Sequence, residues 1–330
     1  MSNFDLLSIG DASIDVYMTP SESETLCHLD EKACHICFNY GDKIPVRNLE
    51  FCLGGNAANN AVGVSRMGVK AGLVLTLGDD LVGKQIIENI KKENVDLTYV
   101  IQQPSTCSNY SSVINYSGER TIFTYHAPRS YEFPVGLPAT PWAYLTSMGE
   151  SFKPFYNHFL DWIRTNVNVR LAFNPGSWQL RSGIPGIGDV LKLTEVLFVN
   201  REEAEKLTGM ADSDGKERDL LVNLSKLGPK IPIITDGANG SFAYDGQSFV
   251  KVGVLPVDAY ERTGAGDAFG SGTLSGIIKG RPLGEALLWG TVNSASVIGY
   301  VGPQKGLIKE SEMPVWLERA RSSGIRISEF

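Results

Sequence analysis

Between positions 261 and 270 the chain reads Glu-Arg-Thr-Gly-Ala-Gly-Asp-Ala-Phe-Gly. A β-branched run from Val250 to Val257 precedes it, and small and apolar residues at helical spacing follow. The pattern predicts a strand, a glycine turn and a helix. Gly264 and Gly266 lack a Cβ, so the backbone can turn tightly there and present its N–H groups to one side. The first turn of a helix leaves its amides unpaired and carries the positive end of the helix dipole. Such a turn is a cradle for an anion, most naturally a phosphate. Asp267 stands at its mouth, where a carboxylate repels phosphate and so needs a reason. One reason is chemistry: a general base for a hydroxyl, while the amides of Gly264, Ala265 and Gly266 hold a phosphoryl group. The other is a helix cap, a role that suits aspartate. The turn alone fits both.

Other strand ends carry polar groups too. Leu6 to Ile9 is a short apolar strand ending at Gly10-Asp11-Ala12-Ser13-Ile14-Asp15. Ligands bind at the carboxyl ends of strands in parallel sheets, so Ser13 and Asp15 are candidates to bond a polyol, or simply to stabilise the turn. Gly54-Gly55-Asn56-Ala57-Ala58-Asn59 opens a helix of small residues, and the Asn59 amide suits a hydroxyl. Gly78 to Lys84 has P-loop spacing, but Gln85 replaces the required Ser or Thr, and Asp79 and Asp80 would face the phosphates. A strand from Val196 to Val199 delivers Asn200 and, three residues on, Glu203. That is capping-box spacing, and it also offers hard oxygens for water-bound Mg²⁺. Strand Ile231–Thr235 ends at Asp236-Gly237-Ala238-Asn239-Gly240, and Leu283 to Tyr300 reads as a long helix containing Asn293.

Helices are also expected over Gly83–Asn94, Phe155–Thr165 and Pro314–Arg321, and Asp189–Lys192 leads into the strand at Val196. About 16–53 and 105–128 break the alternation of strand and helix. The first is polar and mixed; the second holds a hairpin pattern, Ser111–Tyr116 and Arg120–Tyr125. Arg120, His126 and Arg129 lie in or after it, as readers of a carboxylate or sugar ring or as lid contacts. These two insertions predict a small β-rich lid on one α/β domain spanning residues 1–330, with a doubly wound, mostly parallel sheet.

Composition bounds the function. The chain has 330 residues, 42% hydrophobic and 20% charged, ample for a large core. A formal charge of −7 without a basic block argues against nucleic acid and anionic membranes as partners. The start of the chain shows no signal-like or membrane-spanning run, so the cytoplasm is expected. Five cysteines suit a reducing compartment. Cys27, His28, Cys34, His35 and Cys37 crowd together, and Cys34 to Cys37 has a zinc-like spacing. With no knuckle glycine and no second pair, they read rather as small hydrophobic residues of the insertion.

Taken in order, five stretches resemble the ribokinase (PfkB) family of carbohydrate kinases. Gly54 to Asn59 and Thr263 to Phe269 are similar to its two signatures. Gly78-Asp79-Asp80 with Gly83 looks like its third-strand turn, Asn200 with Glu203 like its Asn-x-x-Glu motif, and Thr235-x-Gly237-x-x-Gly240 like its nucleotide loop. The resemblance implies a ribokinase-like fold and transfer of the ATP γ-phosphoryl group, with Mg²⁺, to a hydroxymethyl group. It makes Asp267 the base and the amides of Gly264, Ala265 and Gly266 the anion hole. Asn200 and Glu203 would organise Mg²⁺ and phosphate through water, and Thr235, Gly237, Gly240 and Asn293 would line the ATP site. Ser13, Asp15, Gly55 and Asn59 would hold the sugar. It further implies a homodimer through the lid and a monovalent cation, K⁺, near an aspartate that here is Glu261. Glutamate is longer by one methylene, and the adjacent Arg262 could compete with K⁺. The substrate expected is an unphosphorylated sugar of ribose, fructose or 2-keto-3-deoxygluconate type. A nucleoside kinase of the same family, or a silent sugar or nucleotide sensor, are the alternatives.

Overall fold

The computed structural model describes residues 4–21, 26–30, 33–116 and 119–330, with backbone alone at 26–30, 33–35 and 119. Among the described residues ten strands form one sheet. Its centre is Leu6–Ile9, flanked by Trp142–Leu145 on one side and Ala71–Gly78 on the other, all parallel. Parallel pairing continues outward to Asp96–Gln103 and, in the other direction, through Arg170–Phe173 and Thr194–Asn200 to Ile231–Thr235. Antiparallel strands Ser241–Tyr244, Phe249–Val252 and Ile327–Glu329 finish that edge.

Buried strands need apolar residues on both faces, because helices cover both. Leu6, Leu73 and Tyr144 face a core made with the helices Asn56–Arg66, Ala265–Ile278 and Leu283–Val297. Their neighbours Leu7, Val74 and Leu145 face a second core with Lys153–Thr165 and Glu217–Lys226. The doubly wound, mostly parallel sheet expected from the sequence therefore forms.

Among the described residues the lid is a second sheet of four strands, ordered Val46–Gly54, Ser13–Pro20, Asn109–Tyr116 and Glu119–Tyr125. A separate hairpin, Leu26–Asp30 with Ala33–Cys37, belongs to the first insertion. The side chains of Cys27, His28, Cys34 and His35, on which a zinc reading rests, lie outside the described residues; Cys37 is exposed.

Three local readings change, and one strand was not read at all. The strand expected over Val250–Val257 stops at Val252, since Gly253 loosens the run and Pro256 has no N–H to pair. The residues from Ser13, read as a turn, are already the lid's second strand in space. Helix Ser177–Leu193 begins well before the Asp189–Lys192 stretch read ahead of the strand at Val196, because Gly183, Pro185, Gly186 and Gly188 mask its period, with a kink at Gly183 (φ 60°). The edge strand Asp96–Gln103 has a mixed burial pattern and no clean alternation in sequence. Among the described residues no helix is long and apolar enough to cross a membrane.

Candidate active site

Two helices bring the site together. Ala265–Ile278 begins after Gly264, which sits in the left-handed region (φ 78°, ψ 1°). A Cβ there would lie 2.3 Å from Pro303 Cβ, so both conformation and space demand glycine. Helix Asn56–Arg66 begins after Gly55 (φ 88°), where a Cβ would lie 2.4 Å from Ala12 Cα. The helices pack closely: a Cβ on Gly63 would lie 2.4 Å from Ser271 Oγ. The small residues are thus used for helix contact, and the contact sets the two helix starts side by side.

Asp267 lies in the first turn, and its carboxylate does not cap its own helix. It crosses to the neighbouring one: Asn56 Nδ2 donates to Oδ1 at 3.0 Å, and Asn59 Nδ2 donates to Oδ2 at 2.8 Å. Gln304 Nε2 in turn donates to Asn59 Oδ1 at 2.8 Å, fixing which end of that amide faces Asp267. Burial pushes the Asp267 carboxyl up to about 6; the Asn59 and Asn56 hydrogen bonds pull it down, and Asp15 pushes it up further. A recessed carboxylate of this kind is ionised at neutral pH yet basic enough to receive a proton.

The turn before it presents an incomplete set of backbone partners. Ala265 N–H donates to Arg262 O at 3.3 Å and closes the turn, so it is committed rather than open to a ligand. The Gly264, Gly266 and Asp267 amides have no acceptor among the described residues. A Cβ on Gly266 would meet nothing within 4 Å, so there is open space above it. That space continues into a cavity of about 480 Å³ bounded by Thr235, Gly237, Gly240, Arg262, Gly266 and Ser294, among others. Val254 to Val257, Ala295 and Ile298 give it an apolar wall. Asn293 is not in that wall. It is fully buried one position short of Ser294, its Nδ2 donating to Ala268 O at 2.7 Å and its Oδ1 accepting from Ile308 N at 2.9 Å. It braces the glycine helix instead.

Asn200 and Thr235 are register partners on adjacent parallel strands. Asn200 Oδ1 accepts from Glu203 N at 2.8 Å and Glu203 Oε2 accepts from Asn200 N at 2.9 Å, a complete capping box. Burial raises the Glu203 pKa, with Asp267 among the lesser causes in the same direction. Glu203 and Asn200 offer hard oxygens, the donor type that suits water-bound Mg²⁺. Among the described residues no three His, Cys, Asp or Glu side chains converge on a metal position.

On the lid, Ser13 Oγ donates to Asp15 Oδ1 at 2.9 Å, and burial raises the Asp15 pKa. Arg129 is buried and bonded to the carbonyls of Thr76 and Cys107 and to Asn109 Oδ1. It staples the loop after the lid hairpin. The P-loop look-alike is likewise structural: Asp80 accepts from Gly83 N at 2.8 Å and from Ser108 N at 2.9 Å.

Glu261 is buried, and its Oε1 accepts from the N–H (2.6 Å) and the hydroxyl of Thr263. Its cationic neighbour is Arg120 of the lid hairpin, with Nε 3.6 Å from Oε1. Arg262, adjacent in sequence, is exposed and borders the cavity. The position expected to favour K⁺ thus already has a guanidinium beside it, and the residues do not fit a second cation. Asn56 and Gln304 also escaped the sequence reading. Asn56 stood inside a recognised motif, but Gln304 is 245 positions from Asn59, and only the fold joins them.

A family model described as pfkB family carbohydrate kinase matches residues 4–310. The ATP-dependent 6-phosphofructokinase of Thermoanaerobacterium thermosaccharolyticum is 24% identical over 311 residues, 91% of this chain and 89% of that one. The fructokinase of Salmonella typhimurium is 27% identical over 263 residues, 75% and 84% of the two chains. Among solved structures, Arabidopsis thaliana ribokinase complexed with ribose and ATP superposes with a TM-score of 0.78 at 19% identity, covering 96% of this chain and 99% of that one. The fold is ribokinase-like, and a phosphotransferase acting on a sugar follows from the family match. The chain belongs to the pfkB family of carbohydrate kinases.

Proposed function

We propose that this sugar kinase transfers the γ-phosphoryl group of ATP to a hydroxymethyl group of an unphosphorylated sugar, with Asp267 as general base. The observation that carries this reading is the Asp267 carboxylate: recessed, held by two amides from a second helix, and placed beside unpaired amides and the open space over Gly266. The sugar hydroxyl would lie against Asp267, which takes its proton as oxygen attacks phosphorus. The Gly264 and Gly266 amides and the positive helix end would hold the charge that grows on the phosphoryl oxygens. Thr235, Gly237 and Gly240 would wall the nucleotide in. Asn200 and Glu203 would hold water-bound Mg²⁺, which when bound neutralises phosphate charge. Ser13 and Asp15 would orient the sugar on the lid. Asn59 would position the base rather than bond the sugar first.

The charge around the sugar face supports a neutral acceptor. Arg129 is committed to carbonyls, Arg120 to Glu261, and Lys305 to Glu50 at 3.8 Å. A phosphate or carboxylate on the substrate would compete with those partners beside Asp15 and Glu261.

The test is ADP release from ATP–Mg²⁺ with a panel of sugars, phosphosugars, sugar acids and nucleosides, followed by Asp267→Asn. The expected result is turnover of one unphosphorylated sugar, and loss of about 10²- to 10⁴-fold in kcat with ATP binding kept. A variant with near wild-type turnover would remove Asp267 from the base role. Turnover of nucleosides alone would move the acceptor to that class.

A further inference from the structure

We infer that Arg120 is a built-in cation for the anion-hole turn, a positioning residue that makes a monovalent metal ion unnecessary and ties the turn to the lid. Glu261 is 4% exposed, and a positive partner offsets much of the cost of burying its charge. Its Oε1 is engaged by Thr263 and Arg120, whereas its buried Oε2 has no hydrogen-bond partner among the described residues. A metal ion drawn to Oε2 would sit against a guanidinium already paired with the same carboxylate, and like charges at that range repel.

The placement of Arg120 gives the pairing a second consequence. Arg120 pairs across the hairpin with Asn115, Ile122 with Val113, and Thr124 with Ser111. Ser111 and Val113 pair in turn with Asp15 and Tyr17. Alternation along strands puts these residues on one face, so Arg120 shares the face that carries Asp15. At the other end, Glu261 is held by its own backbone: Tyr260 N and Glu261 N both donate to Ile298 O, at 2.8 and 3.1 Å, where helix Leu283–Val297 ends. Thr263, bonded to Glu261, immediately precedes Gly264. The chain of contacts therefore runs from the lid face through Arg120, Glu261 and Thr263 to the amides that would hold phosphate. A lid that moves away takes the cation with it and leaves the carboxylate unbalanced.

This inference rests on the kinase reading for its turnover arm and has a second readout that does not. Wild type, Arg120→Ala and Arg120→Lys are compared at constant ionic strength in K⁺, Na⁺ and NH₄⁺ chlorides, by turnover and by thermal midpoint. Wild-type turnover is expected to vary less than about twofold among the salts. Arg120→Ala should lose about tenfold or more in kcat, recover several-fold in K⁺ or NH₄⁺, and gain a K⁺-specific rise in midpoint, while Arg120→Lys keeps most activity. A wild type activated more than about tenfold by K⁺, or an Arg120→Ala variant as active as wild type in Na⁺, overturns the inference. If no acceptor is phosphorylated, the kinase reading fails alone. The midpoints then decide: a K⁺-specific rise confined to Arg120→Ala supports the inference, and one in wild type, or in neither, refutes it.

Discussion

If Asp267 is the base proposed above, the balance between burial and two amide donors sets the pH at which the site works. Burial raises the carboxyl and the Asn59 bond lowers it, to about 6. As a base it must be ionised, so kcat/KM should fall as pH drops through about 6. Removing a hydrogen bond to the charged form raises a carboxyl pKa. Asn59→Ala should therefore move the acid limb to higher pH, which a pH profile of kcat/KM checks; an unmoved limb would mean that Asn59 does not tune the base. Single residues were legible in the sequence only where their neighbours along the chain supplied the reason. Gly264, Gly266 and Asp267 lie within four positions, and their chemistry could be read together. Asn59 was read as free for a hydroxyl because nothing nearby in sequence reveals that Asp267 and Gln304 take up both ends of its amide.

The pair of helices that frames the site depends on small residues more than on apolar periodicity. The stripe through Gly63 and Ser271 leaves no room for a methyl group. Gly63→Val should lower stability by about 1–3 kcal/mol through overpacking and lower kcat as well, because the Asn56 and Asn59 amides would shift from Asp267. Thermal unfolding and turnover read the two effects separately; a variant with an unchanged midpoint would show that the helices have slack. Helices and strands with strong periodicity, such as Leu6–Ile9 and Lys153–Thr165, were legible almost to their ends. The lid strand Ser13–Pro20 was not, because its polar Ser13 and Asp15 look like a turn until sheet pairing with Gly54 and Cys52 gives them a face.

Across the whole molecule, the lid face opposite Asp15 packs Ile14 and Val16 into the core, and the rest of it is an outer face open to solvent. Leu49, Phe51, Phe123 and Tyr125 are each half exposed or more on that outer face. An apolar sheet face left in water is costly and invites association, so self-association through it is the outcome to test. Sedimentation or scattering should give a dimer for the wild type. Leu49→Glu with Phe51→Glu should give a folded monomer; a wild type that is monomeric at tens of micromolar would refute it. The sheet order itself was legible only in outline, as strands alternating with helices, because non-local pairing leaves no local mark. The antiparallel edge ending at Ile327–Glu329 depends on a terminal segment with no pattern of its own.

The proposed chemistry draws its two halves from separate material. Asp15 and Ser13 stand on inserted strands, while Asp267 and its glycines stand on a helix of the main sheet. On the proposed reading, substitutions in the inserted strands would alter which alcohol is accepted while the transfer machinery stays intact. A lineage, or an engineer, could exchange the acceptor by rewriting residues 13–54 and 109–125, provided the Arg120–Glu261 pair is carried along as the joint between the old half and the new.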